Sequence, residues 1–133
     1  MNQELQKRQR TKPEQIGYDL LQETRVDFIP QHLINGKFCV DAFIPSLNLV
    51  IQFDGDYWHG NPASYPSPDD RQRKRMRLDK SQDAYMQVCG IRVIRIWASH
   101  LIRHLEQTKS VLQDVLALLK QNPAAQVSSR LEV

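Results

Sequence analysis

Apolar residues recur along this chain with two rhythms, one near 3.6 and one near 2, and the changes of rhythm mark its elements. Over 12–24, Ile16, Tyr18, Leu20 and Leu21 form a helical stripe, and Thr11, Pro13 and Glu14 supply an N-cap, a first-turn proline and a capping-box acid. The runs 26–29 and 31–34 read as strands, followed by Asn35 and Gly36, the strongest hairpin signal present. Residues 37–44 (KFCVDAFI) and 49–54 (LVIQFD) read as two more strands joined by a turn at 45–48. Gly60, Pro62, Pro66 and Pro68 predict a long loop over 55–70, a length that in compact domains usually marks function or disorder. A helix over 70–89 should stop at Gly90, and 91–97 (IRVIRIW) is the last strand. Leu101, Leu105, Thr108, Leu112, Val115 and Leu119 predict a long helix over 99–120. This order predicts a three-layer α/β domain, with a mixed central sheet of about four to five strands flanked by helices.

At 133 residues, 41% of them hydrophobic and 25% charged, the chain fits one domain that can bury a core without a disulfide or metal staple. We read 1–10 as a basic flexible arm, 11–120 as the domain and 121–133 as a flexible tail. No apolar run is long enough to span a membrane, and the first ten residues lack the apolar stretch of a secretory signal. Cys39 and Cys89 sit in apolar segments and read as small buried hydrophobes in a reducing compartment, so a cytoplasmic protein is expected. Without a CxxC spacing no zinc site is expected. The net charge of +3 decides little, but its placement is informative. Arg71, Arg73, Lys74, Arg75, Arg77 and Lys80 fall in one ten-residue run, and Lys7, Arg8, Arg10 and Lys12 form a second cluster. Such runs favour a polyanion partner, because phosphate contacts release condensed counterions; the bland alternative is a solvated helix face.

Three polar residues interrupt apolar strands. Asp41 lies among Val40, Ala42, Phe43 and Ile44, where a carboxylate costs several kcal/mol (roughly) unless donors or a cation meet it. If the 45–48 turn pairs Ile44 with Leu49, Asp41 falls opposite Gln52, and Asp54 follows two residues on along the same face. The set is either the start of an active site or a buried polar network. His59, five residues past Asp54, could reach the same patch or be a surface histidine. Asp79 lies at the edge of the stripe made by Leu78, Tyr85, Met86 and Cys89, and Glu14 could serve its cap or face inward.

The stretch VDAFIP…LVIQFDGDYWHGNP, with LDKSQDAY and GIRVIRIW downstream, resembles the very-short-patch-repair endonucleases and phage-borne homing endonucleases with an E-D-x-H-D pattern. The likeness spans about residues 11–101. It implies the restriction-endonuclease-like PD-(D/E)xK fold and metal-dependent hydrolysis of DNA. Residue by residue, it puts Glu14, Asp41, His59 and Asp79 in the catalytic positions and Phe53 at the variable one. By that likeness Asp41, Glu14 and the Phe53 carbonyl would hold Mg²⁺, with Mn²⁺ substituting, while Gln52 and Asp54 position the metal shell. His59 would be the general base, oriented by Asp79, and Arg71, Arg73, Lys74, Arg75, Arg77 and Lys80 would grip double-stranded DNA. Departures are Asp54 and Gln52 in place of the common lysine and acid, and no counterpart to the repair enzymes' zinc ligands or N-terminal wedge. A homing-type or phage-type endonuclease is therefore expected, acting in bacterial or host cytoplasm. A mismatch-nicking repair enzyme and an inactive DNA-binding module on the same fold are the alternatives. The 99–120 stripe also predicts a homodimer.

Overall fold

The computed structural model describes residues 10–133; of the expected basic arm, Lys7 and Arg8 lie outside them. Helix α1 (Lys12–Glu23) begins at the predicted capping box, with Glu14 N donating to Thr11 Oγ1 and Thr11 N to Glu14 Oε1. Strands β1 (Ile29–Ile34), β2 (Phe38–Ile44), β3 (Leu49–Asp54) and β4 (Arg92–Trp97) form one sheet in that order. The first two pairings are antiparallel and β3–β4 is parallel, so the sheet is mixed, as predicted. The parallel crossover contains α2 (Asp70–Val88), and α3 (Ala98–Arg103) and α4 (Leu105–Gln121) follow β4.

The layers follow from which apolar residues meet. Leu20, Leu21, Leu101, Leu112 and Leu119 from α1, α3 and α4 cover Ile44, Leu49, Ile51, Ile94 and Ile96 on one face. Met86 of α2 covers Val40, Val50 and Val93 on the other. This is the restriction-endonuclease-like three-layer α/β arrangement.

Asn35 and Gly36 both take positive φ, 48° and 69°, closing the β1–β2 hairpin as the pair predicts. The β2–β3 register is also the predicted one, Ile44 opposite Leu49 through Ala42 opposite Ile51. At Asp41 the regular pairing stops on both sides of β2. Toward β1 the Cα partners skip Gln31, whose φ of 48° is a left-handed conformation worth about 1–2 kcal/mol of strain outside glycine. Toward β3 side chains replace the ladder: Asp41 N donates to Gln52 Oε1 (2.8 Å), and Phe53 N donates to Asp41 Oδ2 (2.7 Å). The alternation of β2 slips by one residue here. Phe38 and Val40 face α2, whereas Ala42 and Ile44 face α1 and α4.

Several expectations change. The 26–29 run is not a separate strand; Val26 and Phe28 pack against the core from the connection after α1, and β1 starts at Ile29. The predicted 99–120 helix is broken at His104 (φ −134°) into α3 and α4. Cys39 and Cys89 are exposed rather than buried. The segment after Asn122 and Pro123, read as a flexible tail, is placed along β4. Arg95 N donates to Ser129 O (2.8 Å), Leu131 N donates to Arg95 O (2.9 Å), and Leu131 is buried in the core. Arg92 anchors its start through the Ala125 and Pro123 carbonyls. Among the described residues no helix is long and apolar enough to cross a membrane.

Candidate active site

A cleft of about 450 Å³ opens beside the irregular point of β2. Glu14, Asp41 and Gln52 line it with Phe53, Asp54 and His59, so the structure gathers the residues singled out on α1, β2, β3 and the following loop. Each arrives for a local reason. Glu14 is turned inward by its capping bond and is buried beside Gly17, whose missing side chain admits the Phe53 ring. Asp41 is locked by the exchange with Gln52 and Phe53, and its carbonyl accepts from Tyr18 Oη at 2.7 Å. The expected convergence of Asp41, Gln52 and Asp54 is therefore real, but Gln52 serves the Asp41 backbone.

The long loop is tied down at several points. Asp56 accepts from Ser99 N (2.9 Å), Ser99 Oγ (2.6 Å) and Asn61 Nδ2 (2.7 Å). Burial works to raise the Asp56 carboxyl, but these hydrogen bonds and the His100 charge hold it below the usual carboxylate value. Tyr57 Oη donates to Asp69 Oδ2, and Gln72 Nε2 donates to Tyr57 O, fastening the loop to the start of α2. His59 is thus carried on a built loop, next to Trp58, which stands 56% exposed at the cleft.

Helix α2 has no broad apolar face. Its buried residues are Gln72, Asp79 and Met86, spaced by seven, a narrow seam against the sheet and loop. Asp79 is on that seam, not among the surface arginines, and its Oδ2 lies 2.5 Å from His59 Nδ1. Burial would raise the Asp79 carboxyl; the His59 hydrogen bond and the charges of Arg95, His59 and Arg75 outweigh it and lower the pKa. Asp79 therefore stays ionised and accepts from Nδ1–H, which leaves Nε2 of a neutral His59 as the proton acceptor.

Two arginines that the sequence reading passed over complete the site. Arg95, 4% exposed and opposite Gln52 on β4, donates to Asp54 Oδ1 at 3.0 Å and to both oxygens of Asp83 at 2.7 and 3.0 Å. Burial opposes its charge, but Asp83, Asp54 and Asp79 hold it protonated. Arg130 Nη2 donates to the second Asp54 oxygen at 2.9 Å. The signal for Arg95 was the one used for Asp41, a charge between Ile94 and Ile96; Arg130 left none.

The basic run divides. Arg71, Arg73, Lys74, Arg77 and Lys80 are on the exposed side of α2. Arg75 instead turns into the cleft, its Nε 3.2 Å from Asp79 Oδ1. Ligand atoms of Asp54, His59 and Asp79 lie within 4.8 Å of one another. That trio fits a cation poorly, because Arg95, Arg130 and Arg75 already neutralise its carboxylates and would repel the ion. Asp41 and Glu14, which line the cleft with Phe53, offer carboxylate oxygens, the ligand type hard cations prefer.

No protein-family model and no curated protein matches the chain. Among solved structures it is similar to the catalytic domain of the homing endonuclease I-Bth0305I, with a TM-score of 0.58 and 18% identity. The match covers 87% of this chain and 100% of that domain. At this identity the likeness establishes the fold: the chain is built as a homing-endonuclease catalytic domain is built.

Proposed function

We propose that the protein is a divalent-metal-dependent endonuclease that hydrolyses DNA phosphodiester bonds, a homing-type or phage-type member of the patch-repair-like E-D-x-H-D branch. One observation carries the reading: His59, with Asp79 2.5 Å behind its Nδ1, lines the same cleft as Asp41 and Glu14. A hydrogen-bonded base facing a buried all-oxygen donor set is what metal-assisted hydrolysis requires.

Asp41, Glu14 and the Phe53 carbonyl would hold Mg²⁺, with Mn²⁺ as a substitute. Bound there, the ion would supply positive charge to the scissile phosphate and acidify the attacking water. Asp79 fixes the His59 tautomer and stabilises the imidazolium, and His59 Nε2 takes the water proton. Asp54 is held by Arg95 and Arg130, so its part is to keep Arg95 beside Asp79. Arg75 adds charge at the cleft, and the exposed arginines and lysines of α2 grip phosphates without reading sequence.

The task found for Gln52, a structural partner of the Asp41 backbone, supports a nuclease over an inactive binding module on the same fold, because its place in the strand is then no sign of lost chemistry. A double-strand break takes two such sites or two sequential cuts, and a homodimer would supply both sites at once. Leu101, Leu112 and Leu119 of the expected seam are buried within the chain, so the surface joining the copies lies elsewhere than that stripe. The test is cleavage of duplex DNA by parent and Asp41→Asn over a Mg²⁺ titration. The parent should cut only with metal and Asp41→Asn should stay inactive at saturating Mg²⁺; equal rates would remove Asp41 from the metal site.

A further inference from the structure

We propose that Arg130, in the C-terminal segment, is a positioning residue for the His59–Asp79 pair; the inference rests on the nuclease reading for its catalytic consequence. The backbone around it is strapped to β4 by the Ser129 and Leu131 bonds to Arg95, and Leu131 is seated in the core. The guanidinium stacks over the Trp97 ring, 3.6 Å from its centroid, and donates to Asp54 Oδ2. Asp54 is 1% exposed. Its other oxygen accepts from Arg95 and lies 3.7 Å from His59 Nδ1, just outside hydrogen-bond range.

His59 Nδ1 thus has two carboxylates within reach, and one outcome is productive. Asp79 holds it at 2.5 Å because Asp54 is occupied on both oxygens. Without Arg130, Asp54 keeps only Nη1 of Arg95, which spans its two oxygens at 3.0 and 3.3 Å and belongs to a guanidinium shared with Asp83 and reaching toward Asp79 at 3.8 Å. The carboxylate then gains freedom to turn toward His59, and the imidazole divides its proton between two acceptors, swinging Nε2 off the attacking line. A segment more than seventy residues from His59 in sequence so sets the aim of the base.

The experiment compares the full chain with Arg130→Met, which keeps the stem on Trp97, Arg130→Gln and Arg130→Lys, each checked for folding by thermal melting. Three readouts are taken: single-turnover cleavage of a duplex, duplex affinity with Ca²⁺ in place of Mg²⁺, and the His59 ring ¹⁵N and Nδ1–H resonances. Loss of an outer-shell partner of this kind typically costs about 10–100-fold in activity. Arg130→Met and Arg130→Gln should cut about 10–100-fold more slowly with affinity little changed, the His59 resonances should move, and Arg130→Lys should recover part of both. Unmoved His59 resonances in the folded Met or Gln variant overturn the inference, whether or not cleavage falls, because Arg130 is then an anchor of the segment. If the parent itself cuts no DNA, the nuclease reading fails, and the resonances alone decide what Arg130 does.

Discussion

Gly17→Ala should destabilise this protein, although alanine is the better helix former. A Cβ at position 17 would stand 2.4, 2.5 and 2.7 Å from three atoms of the Phe53 ring. Carbon atoms pack at about 3.5–4.0 Å, so the ring and helix must separate by roughly 1 Å. The ring has little room, being buried and edge-on to Tyr18 with 5.5 Å between centroids. Overpacking of this kind costs about 1–3 kcal/mol, here near the upper figure because three ring atoms are met at once, and the gain in helix propensity returns about 1, leaving about 2 kcal/mol net. For a chain of this length that lowers the melting temperature by about 4–8 °C. Calorimetry measures it, and pairing Gly17→Ala with Phe53→Leu, which lacks the clashing atoms, should recover most of the loss. The displacement also shifts Glu14 on α1 against Asp41, so cleavage should fall with stability. A melting temperature equal to or above the parent's would refute the close approach of α1 to β3 on which the geometry of Glu14 depends.

Lys74→Ala and Arg77→Ala, both on the exposed side of α2, should each flatten the slope of log affinity against log salt by ~0.9 on any duplex, measured by anisotropy. A cleft arginine behaves differently: Arg75→Ala should slow cleavage by more than its loss of affinity explains. Acid should destabilise the fold through Asp56 and Asp79, whose pKa values are lowered in the folded state. Groups of this sign contribute stability above the unfolded carboxylate value and lose it as pH falls through the folded one. The urea midpoint should therefore drop between about pH 5 and pH 3, and less steeply in Asp56→Asn; equal slopes would contradict the part of Asp56 in tying the loop to Ser99.

Much of the site was legible because its signals are local. The turn at 45–48 and period-two alternation sufficed to put Asp41 opposite Gln52, and a loop starting at the end of β3 had to bring His59 near Asp54. The end of helix α2 was legible from Gly90, whereas the capping box of Asp69 and Gln72 that opens it was passed over. What escaped depends on contacts distant in sequence. Nothing in a glutamine at 31 announces left-handed backbone, so the slip of β2 was hidden. The apolar rhythm continues through His104, so the break between α3 and α4 was hidden too. The segment after Pro123 shows no apolar rhythm because backbone bonds, the Arg92 guanidinium and only Ala125, Val127 and Leu131 hold it, and Arg130 acquires meaning only once Asp54 is seen beside it.

The most direct measurement is single-turnover nicking of supercoiled plasmid by parent and His59→Ala side by side, with Mg²⁺ and with EDTA, alongside duplex affinity. The parent should nick with Mg²⁺ and be silent in EDTA. Removing a general base typically costs about 10²–10⁴-fold, so His59→Ala should lose that much rate with affinity retained. Nicking in EDTA, or a His59→Ala variant as fast as the parent, would contradict the account.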